Sequence, residues 1–158
     1  MVHADFAHDV QDVVGALTDP EFLAERNLSL GELSVECEVE EDEVSTTITM
    51  AREVRRVLPG LLAKLFDPVN VMDMTEKWKK SGKGWKGDWT MTVREQPVTI
   101  RGSFELMPAS DGCRYSVSHR VTAKVPLVGW QIEKYILGQT AKGAEDELEY
   151  LRKYLDQN

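Results

Sequence analysis

Positive charge is in short supply in this sequence. Its 158 residues carry 19 Lys and Arg against 27 Asp and Glu, a formal charge of −8, and that balance opposes the broad basic footprint needed to bind a phosphate backbone. Nucleic acid is therefore not expected as a partner. Long apolar runs are missing as well. None approaches the ~20 residues of a spanning helix, and His3, Asp5, His8 and Asp9 fall where a secretory leader has its apolar block. These absences predict a cytoplasmic protein with no transmembrane segment.

Cysteine is scarce. Cys37 and Cys113 stand singly in alternating runs without CxxC or CxxH spacing, and read as small interior thiols in a reducing compartment. His3, His8 and His119 lack the spacing of a metal centre, and there is no GxSxG nucleophile elbow. No metal, no cofactor and no catalytic set is expected. Segment 81–87 holds glycines and lysines but does not match GxxxxGK[ST], and it sits between two strands, so it reads as a hairpin turn.

What the chain does have is pattern. Hydrophobic residues make up 42%, enough for one domain over 1–158 that buries roughly 70% of its unfolded surface. A short first strand leads into Val10, Val13, Val14 and Leu17 at helical spacing, and Asp19-Pro20 then caps and opens a second short helix. From Leu33 the period becomes two, with Val35, Cys37 and Val39 against Glu36, Glu38 and Glu40. Further alternating runs cover 44–54, 69–80, 84–94, 98–107 and 113–125, separated by turn-forming residues. The segment 127–155 returns to spacings of three and four with a middle of small and polar residues, predicting one long C-terminal helix. The order is strand, two helices, six strands, one helix: an α+β protein with a seven-stranded antiparallel sheet.

Such a sheet twists, and one helix cannot cover it while it stays flat, so it must curve around the helix. Centring the turns aligns Met74, Trp89, Gly102 and His119 in one row, and Glu76, Gly87, Phe104 and Val117 in the next. Two glycines thus face inward beside large aromatics, which points either to curvature with the ring filling the gap or to clearance for a ligand. Both readings predict a concave, aromatic-lined inner face.

This order of elements resembles the helix-grip fold of the START-like, or SRPBCC, superfamily, which includes the birch-pollen-allergen (Bet v 1-like) proteins, lipid-transfer START domains and polyketide cyclases. The segment Val125-Pro-Leu-Val-Gly-Trp-Gln-Ile-Glu-Lys-Tyr-Ile136, with the opening Phe6 to Arg26 and Glu76-Lys-Trp78, resembles the DUF2505 family within it. The resemblance implies a hydrophobic pocket between sheet and long helix, and no catalytic motif to carry over.

The candidate ligand-binding wall on the sheet is Met50, Arg52, Met74, Glu76, Trp89, Met91, Phe104, Tyr115 and His119; opposite it on the helix stand Ile132, Tyr135, Ile136 and Gln139. Glu76, His119 and Arg52 are its polar members. A buried carboxyl must find a donor or keep its proton. Arg52 reads as reaching the rim and His119 as a satisfied interior imidazole. Glu76 and His119 lie three strands apart, roughly 14 Å, beyond direct hydrogen-bonding reach. Leu58, Leu61, Leu62, Leu65 and Phe66 form an apolar helical segment that is either a lid over a cavity mouth or fixed packing. Lys77, Lys79, Lys80, Lys83 and Lys86 with Trp78 and Trp85 make a basic hairpin, suited to weak contact with an anionic membrane surface or to solvating a strand edge. Three functions are compatible with this pattern: a carrier or sensor of a small hydrophobic or amphipathic, lipid-like molecule; a cyclase or aromatase in which Glu76, His119 or Tyr115 moves protons; and an interaction module with a closed interior.

Overall fold

The structure is a computed structural model and describes residues 1–157. Strand β1 (Val2–Phe6) is followed by helices α1 (Val10–Leu17) and α2 (Pro20–Ser29), and then by strands β2 (Ser34–Glu41) and β3 (Ser45–Arg55). A short helix α3 (Gly60–Leu65) precedes β4 (Val69–Ser81), β5 (Gly84–Val93), β6 (Val98–Ala109), β7 (Gly112–Val117) and β8 (Arg120–Ala123), and α4 (Gly129–Gln157) ends the chain. Local chemistry sets these bounds. The Asp19 side chain accepts from the Glu21 N–H at 3.0 Å with Pro20 at the first helical position. Asp42 Oδ1 accepts from the N–H groups of Val44 and Ser45 at 2.8 Å each and closes the β2–β3 turn.

All pairings are antiparallel, in the order β1-β7-β6-β5-β4-β3-β2, with β8 alongside β6. The eighth strand is a cut in the expected last run. Phe104 faces Val117 and Arg101 faces Arg120, so β7 and β8 keep one register, interrupted at Ser118 and His119. There Ser118 Oγ accepts from the Ser103 N–H at 3.1 Å, a side chain taking the place of a ladder bond.

The rows also differ from expectation on one strand. Trp89 faces Gly102 and Gly87 faces Phe104 as the pattern predicts, but Glu76 rather than Met74 faces Trp89, and Trp78 faces Gly87. The cause is the turn: Ser81 pairs with Gly84 around Gly82-Lys83, one residue later than expected. A slip of two residues preserves the inward parity, so the apolar face is unchanged while each neighbour changes.

The inward glycines serve curvature. A Cβ on Gly102 would lie 1.8 Å from the Ser118 carbonyl oxygen and 2.4 Å from Trp89 Nε1. On Gly87 it would meet the Lys77 carbonyl oxygen at 2.1 Å and the Phe104 ring at 2.4 Å. Backbone and aromatic rings already fill both places. The core joins Ile48, Trp78, Ile100, Phe104 and Leu106 of the sheet to Val13, Leu17 and Leu23 of the short helices and Ile132, Leu148, Leu151 and Leu155 of α4. Leu127 and Val44, expected within regular elements, are 96% and 73% exposed and lie in the turns outside them.

Candidate functional site

The two ends of α4 pack through large side chains, but its middle presents Gln139, Thr140, Gly143 and Ala144 to the sheet. Small residues there leave the helix and the concave face apart, and the gap is a cavity of about 170 Å³. An engineered apolar cavity of about 150 Å³ accommodates benzene, so this space is large enough for a small molecule. Met72, Met74, Trp89, Met91, Val98 and Ile100 supply its apolar sheet wall.

Of the wall expected from sequence, Arg52, Met74, Glu76, Trp89, Met91, Tyr115, His119, Ile132, Tyr135, Ile136 and Gln139 line this cavity. Met50 and Phe104 do not. Met50 is buried away from the lining, its sulfur accepting from Asn27 Nδ2 at 3.8 Å, and Phe104 packs on Trp78 with ring centroids 4.4 Å apart. Leu58, Leu62 and Phe66 also line the cavity, whereas Leu61 and Leu65 face outward and are 45% and 41% exposed. The segment after β3 is fastened to α4 by Arg56 Nη1 donating to Gln139 Oε1 at 3.3 Å and by the Tyr135 hydroxyl donating to the Val57 carbonyl at 3.4 Å.

Arg52 is a correction. Expected at the rim, it is buried, because it has acidic partners that are distant in sequence. Its guanidinium donates to Glu32 through Nε at 3.0 Å and through Nη2 at 2.5 Å, and Nη2 also reaches Glu147 at 3.2 Å. Arg26, likewise buried, reaches the other Glu147 oxygen at 2.9 Å. Sequence reasoning missed Arg26, Glu32 and Glu147 as site residues. Glu147 left a signal: it falls on the inner stripe of α4, three residues after Ala144 and four before Leu151. Desolvation works against the Glu147 charge, but Arg26 and Arg52 outweigh it and hold its carboxyl below the usual value. Desolvation opposes the Arg52 charge too, and Glu147 and Glu32 more than offset it.

Glu76 is different. Its hydrogen-bond donor is the Trp78 indole, Nε1 to Oε1 at 3.1 Å. Burial pushes its carboxyl above the usual range, against the opposing pull of the Trp78 bond and the more distant Arg26. Its environment favours the protonated carboxyl more than that of Glu147 does. Tyr115, stacked on Trp78 at 6.4 Å, has its phenol pushed well up, first by burial and then by Glu76.

His119 is not the satisfied imidazole expected. Its Nδ1 is buried without a hydrogen-bond partner, and burial lowers its pKa, which favours the neutral ring. Trp89, beside it at 6.3 Å, donates instead to the Ser118 carbonyl at 3.1 Å. Glu76 and His119 form no bond with each other.

The basic hairpin is altered by Trp78, which is wholly enclosed and packs against Trp85 at 6.5 Å. Lys80 lies over the Trp85 ring at 5.9 Å, and Lys86 pairs with Glu105 at 3.2 Å. Cys37 and Cys113 are free thiols pushed up to about 11 by burial. Among the described residues no cluster of three or more His, Cys, Asp or Glu is placed to hold a metal ion, and no helix is long and apolar enough to cross a membrane.

Residues 1–155 match the protein family described as "Protein of unknown function (DUF2505)", and the chain belongs to that family. No curated protein matches it in sequence. Solved structures share its fold. A protein from Rhizobium leguminosarum is 12% identical with a TM-score of 0.62, over 99% of this chain and 93% of that one. One from Chromobacterium violaceum is 17% identical with a TM-score of 0.58, over 97% and 93%. A conserved protein from Geobacillus kaustophilus is 20% identical with a TM-score of 0.56, over 98% and 93%.

Proposed function

We propose that this member of the DUF2505 family binds or carries a small hydrophobic or amphipathic molecule between the sheet and α4, as a cytoplasmic carrier or sensor. The observation that supports the reading is the cavity of about 170 Å³, with apolar walls and a few buried polar groups among them. An apolar ligand burying about 200 Å² would gain roughly 5 kcal/mol at ~25 cal/mol per Å², before the costs of association. The resemblance to START-like proteins agrees with this use of the space. An unfilled interior does not suit a module closed by its own side chains. The separation of Glu76 from His119 leaves a proton-relay enzyme without a linked pair.

Native mass spectrometry of freshly purified protein tests the reading by looking for a co-purifying small molecule. Titration with N-phenyl-1-naphthylamine, a neutral fluorophore, should give saturable enhancement. Ala144→Trp, which fills the cavity from α4, should abolish it while the circular dichroism of the fold persists. No co-purified mass, together with enhancement unchanged by the filling variant, would remove the cavity as the site. If the segment 58–66 is a lid, its amide exchange slows when probe binds; unchanged protection identifies fixed packing.

A further inference from the structure

The polar groups of the cavity are not equivalent, and their difference selects a ligand chemistry. Arg26 and Arg52 are both committed to Glu147 and Glu32, two guanidiniums against two carboxylates. Neither guanidinium has charge to spare for a ligand; Arg56, which also lines the cavity and bonds the neutral Gln139 amide at 3.3 Å, is, among the described residues, the cation left for an anionic group. Glu76 and Tyr115 take no part in those ion pairs, and both touch the Trp78 ring system, Glu76 by accepting from its indole and Tyr115 by stacking on it. Glu76 Oε2 makes no hydrogen bond, and neither does the Tyr115 hydroxyl, yet neither atom is sealed away from the cavity that both residues line.

We propose that Glu76 and Tyr115 together hold the neutral carbonyl oxygen of an apolar ligand, a ketone, aldehyde or ester. A carbonyl oxygen has two lone pairs and can accept from two O–H donors, and a protonated carboxyl and a phenol each supply one. The same pairing, a phenol with an acid kept neutral by its apolar surroundings, forms oxyanion holes elsewhere in protein chemistry. Burial raises the Glu76 carboxyl above its usual value and so favours the donating form. The groups whose charge acts on Glu76 and Tyr115 are Arg26 on α2, Cys37 on β2, Arg52 on β3 and Glu147 on α4. The Cys37 thiol is pushed up to about 11 and Glu147 is held below the usual carboxylate value, while His119, which lines the same cavity, has its value lowered by burial; the Glu76→Gln variant separates the Glu76 contribution from that of His119.

This inference rests on the cavity-binding reading, and three probes of one shape separate the two. Quenching of the tryptophans is followed as 2-acetylnaphthalene, 2-ethylnaphthalene and 2-naphthylmethylamine are added. The ketone should bind about tenfold more tightly than the hydrocarbon, and the amine more weakly than the ketone. Ketone affinity should fall, by up to tenfold per pH unit, as pH rises through the point where Glu76 ionises. Glu76→Gln retains an N–H donor, so it should keep the preference for ketone and lose its pH dependence. Tyr115→Phe should reduce the preference several-fold and Glu76→Leu should erase it, each checked for native circular dichroism. Equal binding of ketone and hydrocarbon, or tighter binding of the amine, overturns the carbonyl proposal and leaves the cavity reading standing. Failure of all three probes overturns both.

Discussion

Two partly buried carboxyl groups face the same cavity under opposite rules. Glu147, on α4, is met by Arg26 at 2.9 Å and Arg52 at 3.2 Å and stays ionised. Glu76, on β4, has a neutral indole donor at 3.1 Å and is pushed above the usual carboxylate value. Removal from water is similar for both, so the difference lies in what each meets in place of water. A guanidinium compensates a desolvated negative charge; an N–H dipole does so only in part. One polar corner is thus a closed ionic lock and the other an open neutral one, with spare hydrogen-bonding capacity only in the second.

The largest expected effect comes from breaking the lock. Arg52→Met leaves Glu32 and part of Glu147 without their cation and should lower stability by about 3–5 kcal/mol, read as a lower urea midpoint at unchanged slope. Adding Glu147→Gln should recover part of that loss; a strictly additive double variant would mean that the two residues are not coupled.

Trp78→Phe acts on the other corner. It keeps an aromatic ring in the core and removes the donor to Glu76, at a cost of about 1–2 kcal/mol. If it weakens the protein as much as Arg52→Met does, the contrast between the corners is wrong.

A gentler test uses pH. The folded value of Glu76 is raised above its ordinary 4.5, so its contribution to stability is complete below that value and is lost as pH rises through the folded one. Glu147 has a depressed folded value, so its contribution is present above 4.5 and is lost as pH falls through the folded one. Urea midpoints should therefore show Glu76→Gln gaining on the parent protein as the buffer becomes alkaline, and the penalty of Glu147→Gln shrinking as it becomes acid. Parallel curves for the two variants would contradict the assigned protonation states.

The smallest effect belongs to the surface. Arg94 and Asp73 pair at 2.6 Å with both side chains about half exposed. Water screens such pairs, so Asp73→Asn should leave the melting midpoint unchanged at physiological salt. A clear loss there would show that geometry rather than burial separates strong from weak pairs in this protein.

Much of the architecture was legible because each element signals its own presence. The Asp19-Pro20 cap, the period-two runs and the small-residue middle of the last helix are local features, and β1 through α4 follow the expected order. Most of the expected cavity wall was legible too, since inward parity survives errors of two. The β4–β5 register was not: the turn over 81–83 can be centred in two places that expose the same apolar face. Nor could parity separate Met50, which is buried outside the cavity lining, from Met74, which belongs to it.

What the sequence determined by itself is the order of elements, the inner face of each strand and the thinness of α4 where the cavity forms. Those follow from spacing along the chain, where each residue's neighbours are known in advance. The charge state of Glu76, the burial of Arg52 and the meeting of Arg26, Glu32 and Glu147 were decided only by the tertiary structure. Protonation and ion pairing depend on distance and on the removal of water, and α2, β3 and α4 acquire their mutual distances only when the sheet closes around the helix.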